Sequence, residues 1–145
     1  TLWLAVDDSD AENGCMRVLP GTQHTELQEM QKNTEVENVL GSSIDPAKIT
    51  PGDATDIDLA AGDVSVHHAN IIHGSNANTS DRRRCGLTIR YIPATTRILT
   101  NQQWPSAFLL RGKAVDSVND YLSWPTYQSG EHMPFDGCQD WPPTH

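Results

Sequence analysis

Apolar residues occur along this chain in short alternating runs broken by polar turns. Runs such as Leu2-Trp-Leu-Ala-Val, Met16-Arg-Val-Leu and Leu87-Thr-Ile-Arg-Tyr-Ile have the two-residue period of half-buried strands. They predict strands near residues 1–7, 14–19, 54–59, 63–68, 70–73 and 86–93. Ala61-Gly62-Asp63 is a tight turn, after which Val64, Val66 and His68 share one strand face and Ser65 and His67 the other. Leu87, Ile89 and Tyr91 share a face in the same way. Helical signals are few. Thr25-Glu-Leu-Gln-Glu-Met-Gln-Lys32 predicts a short helix within 25–40, and Asp116 to Leu122 a turn or two more, with 41–53 as loop. Many short strands between Gly, Asp, Asn and Pro turns point to an all-β sandwich or barrel.

A chain of 145 residues is long enough for a single domain with a real core, although only 37% of it is apolar. Ten basic against nineteen acidic residues give a net charge of −9, which disfavours a nucleic-acid surface and favours a small-molecule substrate. Acidic clusters at Asp7-Asp8-Asp10-Glu12 and Asp53-Asp56-Asp58 read as solvated turn carboxylates. Cys15, Cys85 and Cys138 are odd in number and widely spaced, so free thiols in a reducing cytoplasm are expected. No segment approaches the roughly 20 apolar residues that a membrane helix requires.

The chemistry concentrates in His73-Gly-Ser75-Asn-Ala-Asn-Thr-Ser-Asp-Arg82-Arg83-Arg84. A histidine at the end of an apolar stretch is followed by a polar loop and then by arginine at the head of the next strand. If the flanking strands form a hairpin, both groups face one pocket. Each piece has a plainer reading. One histidine on a strand is ordinarily structural, three adjacent arginines are ordinarily solvated, and Trp3 at the head of an apolar strand is ordinarily core.

Order and wording change that reading. Gly62-Asp-Val-Ser-Val-His-His68, His73-Gly-Ser75, the Asn78-to-Arg84 loop and Gly86-Leu-Thr-Ile-Arg-Tyr-Ile-Pro93 together resemble the phytanoyl-CoA dioxygenase family. Leu2-Trp-Leu-Ala-Val-Asp-Asp8 and Glu12-Asn-Gly-Cys-Met-Arg-Val-Leu-Pro-Gly21 extend the likeness toward the start, so it covers about the first hundred residues. It implies a double-stranded β-helix, a jelly roll of cupin-like form with a few short helices. It also implies an oxygenase using Fe(II), 2-oxoglutarate and O2 to hydroxylate a small organic substrate. By the same likeness His73 corresponds to the distal iron histidine. Arg84 corresponds to the arginine that pairs with the far carboxylate of 2-oxoglutarate, Ser75 to its hydroxyl companion, and Trp3 to the indole packed on the co-substrate. Arginine suits that task because its planar fork is permanently charged and matches a carboxylate.

Two departures stand out. Pro20-Gly-Thr-Gln-His24 is one residue longer than the family's P-G-S-H. The family's H-x-D iron ligands lie one strand before the tryptophan, whereas this chain starts two residues before Trp3, so an N-terminally truncated domain lacking its first strands is expected. His24-Thr25-Glu26 imitates the pair only on paper, and His68 reads as a packed histidine lining the pocket. The resemblance leaves hydroxylase and halogenase both open, since the ligand carboxylate decides between them. A non-catalytic jelly-roll binding module, or a cupin-type isomerase or hydrolase, stands as the alternative. Residues 22–52 are expected to form the variable substrate-side region of the single domain 1–145, and the aromatic, proline-rich tail 124–145 to pack on that domain.

Overall fold

A computed structural model describes residues 1–26, 28–32, 42–45, 47, 49, 53–100 and 106–124. The chain divides into two compact units, Thr1–Tyr91 and Ile92–His145. The described residues of the first contain eight short strands: β1 Leu2–Ala5, β2 Met16–Val18, β3 Met30–Lys32, β4 Ser42–Ile44, β5 Thr55–Asp56, β6 Val64–Val66, β7 His73–Ser75 and β8 Gly86–Ile89. Every ladder is antiparallel, in sheets ordered β6-β1-β8, β5-β2-β7 and β3-β4.

Apart from the separate β3-β4 pair, the chain passes between two three-stranded sheets at every step but the one from β2 to β5, where it stays in one sheet. β1, β6 and β8 lie in one, while β2, β5 and β7 lie in the other. That alternation is the winding of an all-β jelly roll, and it makes β1 and β2 the central strand of their sheets. It also corrects the expected hairpin. β7 and β8 do not pair, so the loop between them bridges the two sheets.

Register shows which residues face inward. Trp3 stands opposite Ser65 and Thr88, and Ala5 opposite Gly86, while Leu2 and Leu4 stand opposite Val66 and Val64 on one side and Ile89 and Leu87 on the other. Trp3 and Ala5 are buried, whereas Val64, Val66 and Leu87 are exposed. In the second sheet, buried Val18 and Met16 stand opposite His73 and Ser75. The core thus comprises Trp3, Ala5, Cys15, Met16, Val18 and Leu19.

Several expected elements move. The strand expected at 70–73 starts only at His73. The amide of Ile71 closes a turn onto His68 O at 3.2 Å, and Ile72 is tied to Leu19 and Thr22 instead of to a ladder. No helix forms over residues 25–32; Met30–Lys32 is a strand paired with Ser42–Ile44, a stretch expected to be loop. The rest of the expected helix, 33–40, lies outside the described residues. Residues 116–118 form a turn with Ser117 at φ 61° instead of a helical turn.

The second unit is held by side chains more than by ladders. Asn119 donates to Thr96 O at 2.7 Å and accepts from Ile98 N at 2.8 Å, and Phe108 stacks on Trp124 with centroids 5.3 Å apart. Trp124 remains largely exposed, and the tail beyond it lies outside the described residues. Among the described residues no helix is long and apolar enough to cross a membrane.

Candidate functional site

Sequence-distant segments set His73 in place. Leu19 N donates to Ile72 O at 2.9 Å, and the Thr22 hydroxyl accepts from Ile72 N at 2.9 Å while donating to Leu19 O at 2.7 Å. Thr22 therefore anchors the lengthened Pro20–His24 loop to the residue before His73. The His73 ring then meets Ile71 O through Nδ1 at 2.8 Å. A carbonyl only accepts, so Nδ1 carries a proton, which in the neutral ring leaves the lone pair on Nε2, as in a metal-ligating imidazole oriented by a backbone carbonyl.

His73 and Ser75 line a cleft of about 190 Å³ together with Arg17, Val18, Ile72 and Asn76. The His67 ring stands 5.4 Å from that of His73, tilted by 48°. Burial, followed by the neighbouring His73, holds the His67 imidazole below its usual pKa and so favours its neutral form. Ser65 Oγ on β6 and His67 Nδ1 just after it are both buried without a hydrogen-bond partner among the described residues. These two polar groups were not expected to be functional. Their signal in the sequence was polar residues alternating with Val64 and Val66. His68, expected to line the pocket, is exposed and accepts from Asn70 N at 3.1 Å.

The three arginines have different fates. Arg82 Nη2 reaches both Asp10 oxygens at 2.8 and 2.7 Å and Glu12 at 3.4 Å. Arg83 grips Asp7 through Nε and Nη2, each at 2.8 Å. The guanidinium beside each holds the Asp7 and Asp10 carboxyls below their usual range. These two carboxylates are therefore ion-pair partners, not merely solvated turn residues. Buried Asn13 adds to the join, accepting from Asp10 N at 2.8 Å and donating to Asp8 O at 2.7 Å and Arg83 O at 3.5 Å. Gly14, at φ 76°, admits the close approach, since a Cβ there would lie 2.7 Å from Asn76 O.

Arg84 alone has neither hydrogen bond nor ion pair among the described residues. It is half-buried, and its guanidinium carbon lies 5.9 Å from the centre of the Trp3 ring. Trp3 reaches this position because residue 86 is glycine; a Cβ there would lie 2.0 Å from Trp3 Cζ2.

The structure thus brings Arg84 to Trp3, and His73 to Ser75 and His67. It shows no hydrogen bond between Arg84 and Ser75, the expected pair. His24, Thr25 and Glu26 are all exposed. Among the described residues no three His, Cys, Asp or Glu side chains form a group fit for a metal. The described residues do not complete a metal-ligand set around His73.

Comparison with known proteins gives a consistent picture. The family profile described as Phytanoyl-CoA dioxygenase (PhyH) matches residues 1–86. A phytanoyl-CoA dioxygenase domain-containing protein 1 homolog from Dictyostelium discoideum is 29% identical over 108 residues, which cover 71% of this chain and 38% of that protein. Phytanoyl-CoA dioxygenase 1 of Oryza sativa subsp. japonica is 26% identical over 106 residues, covering 71% of this chain and 36% of that one. A 2-aminoethylphosphonate dioxygenase from an uncultured bacterium is 31% identical over 91 residues, covering 63% and 32%. The chain spans less than two fifths of the length of these relatives. No solved structure matches it.

Proposed function

Because the chain belongs to the phytanoyl-CoA dioxygenase family, we propose that it is part of an Fe(II)- and 2-oxoglutarate-dependent dioxygenase that hydroxylates a small organic substrate. The co-substrate 2-oxoglutarate would leave as succinate and CO2. The observation that carries this reading is Arg84. It is a half-buried cation beside an indole with no carboxylate of its own among the described residues, while the two arginines before it are paired. An unpaired cation removed from water is costly and calls for an anion.

In this reading Arg84 holds the far carboxylate of 2-oxoglutarate and the Trp3 ring packs against its carbon chain. Ser75 adds a hydroxyl, and His73 offers Nε2 to iron. Iron, when bound, supplies the activation of O2. The inward face around Trp3 keeps bulk water from the co-substrate. The acidic net charge supports a small-molecule partner over nucleic acid, and the free thiols Cys15 and Cys85 support a reducing, cytoplasmic setting.

The test is succinate release from 2-oxoglutarate with Fe(II) and O2. Wild-type turnover that disappears in His73→Ala and needs far more 2-oxoglutarate in Arg84→Ala agrees with the proposal. A binding module that keeps the jelly roll and a carboxylate site at Arg84 accounts for the same arginine geometry. It would bind 2-oxoglutarate without releasing succinate, and the same assay made on the whole protein that carries this chain separates the two.

A further inference from the structure

Arg84 is held from both sides by one carboxylate to which it does not bond. Asp7 lies just past β1 and takes Arg83 Nε and Nη2 at 2.8 Å each, while its Oδ2 also accepts the Cys85 amide at 2.9 Å. The amides of Val6 and Asp7 return to Cys85 O at 3.0 and 3.2 Å. Arg84 is the residue between these two anchors.

The Arg83 ion pair is solvent-exposed, with 73% of the Arg83 side chain accessible, and such a pair contributes little by itself. The Cys85 bond does something different. It is a part-buried, charge-assisted bond to the backbone immediately before β8, where the strand's register begins. A slip of one residue there would turn Arg84 to the opposite face of the strand and off Trp3.

We propose that Asp7 is a positioning residue that acts through the Cys85 amide to keep Arg84 over Trp3 and ready for a carboxylate. The co-substrate part of this inference rests on the reading of Arg84 given above; the positioning part does not.

The experiment has two readouts on the full chain. The first is the rate at which phenylglyoxal labels Arg84, followed by peptide mass spectrometry without any co-substrate. The second is the dissociation constant for 2-oxoglutarate. Asp7→Ala should speed Arg84 labelling and weaken 2-oxoglutarate binding, each by about tenfold, the scale of one lost hydrogen bond to a charged group. Arg83→Gln, which breaks the ion pair and keeps the acceptor, should change either by no more than about twofold. Asp7→Asn keeps a neutral acceptor and should fall between, which decides the matter if the alanine variant does not fold. Arg84 labelling at the wild-type rate in the Asp7 variants overturns the positioning role, as does an equal effect from Arg83→Gln. Faster labelling in Asp7→Ala, with wild-type protein that binds no 2-oxoglutarate, sustains the positioning role and overturns the co-substrate assignment.

Discussion

The guanidinium of Arg84 lies over the face of Trp3 with its carbon 5.9 Å from the ring centre. A cation in this position keeps its hydrogen-bonding fork free, because the contact engages its face and not its N–H groups. Arg84→Lys should therefore retain the charge and lose the bidentate grip. Isothermal titration with 2-oxoglutarate should show a loss of roughly tenfold for lysine and of about a hundredfold for alanine, in line with charged hydrogen bonds of about 1.5–3 kcal/mol each. Equal affinities for the three proteins would refute the assignment.

Gly86 is the counterpart of that contact on the strand. A methyl group there would sit 2.0 Å from Trp3 Cζ2, so Gly86→Ala must displace the indole or the strand. Overpacking of this kind costs about 1–3 kcal/mol. Urea unfolding should show the loss. The double variant Gly86→Ala/Trp3→Leu should recover part of it by removing the clash, and no recovery would show that the indole is not the obstacle.

The two described cysteines should differ in reactivity. Burial, with Asp58 and Asp56 nearby, pushes the Cys15 thiol up to about 11, and its Sγ donates to Asp58 at 3.4 Å. The thiolate is the reactive form, so at pH 8 iodoacetamide should modify half-buried Cys85 and spare Cys15 until the protein unfolds. Peptide mapping after brief alkylation checks this, and early labelling of Cys15 would contradict it.

Acid should loosen the join between the β1–β2 turn and the arginine loop. The Arg83 hydrogen bond holds the Asp7 carboxyl below its usual value of 3.8, and the Arg82 hydrogen bond does the same for Asp10. A depressed folded-state pKa means that the unfolded chain takes up protons first. The stabilisation is thus complete above the unfolded value and disappears as pH falls below about 4 through the folded values. Urea midpoints at pH 6 and pH 3 should differ more for wild type than for Asp7→Asn/Asp10→Asn. An identical drop in both would assign the acid sensitivity to other groups.

The alternation of polar and apolar residues revealed where most strands lie and which residues share a face. β1, β2, β5, β6 and β8 all fall inside the expected ranges. It did not reveal which face is inward. The partners of buried Trp3 are polar Ser65 and Thr88, while the apolar Val64, Val66 and Leu87 are exposed. This sheet inverts the usual rule that the apolar face is the buried one. The helix expected near residue 25 failed because good helix formers there are outweighed by the β3-β4 pairing, a tertiary effect that local propensity does not contain. The arginine run read as solvated because Asp7 and Asp10 lie far from Arg82 and Arg83 along the chain. His73 and Arg84 were singled out through family wording, whereas the separate surroundings of Ser75 and Arg84 required the sheet topology.

Winding successive strands between two sheets also dictates an order of events during synthesis. β1 precedes both of its ladder partners, Val64–Val66 and Gly86–Ile89, so its sheet stays incomplete on one side until the ribosome has passed residue 89. β2 likewise waits for Thr55–Asp56 and His73–Ser75. Contacts of such long sequence separation fold slowly. One edge of the strand bearing Trp3 must therefore remain unpaired, with its backbone groups available to other chains, until the segment bearing Arg84 arrives and closes the sheet.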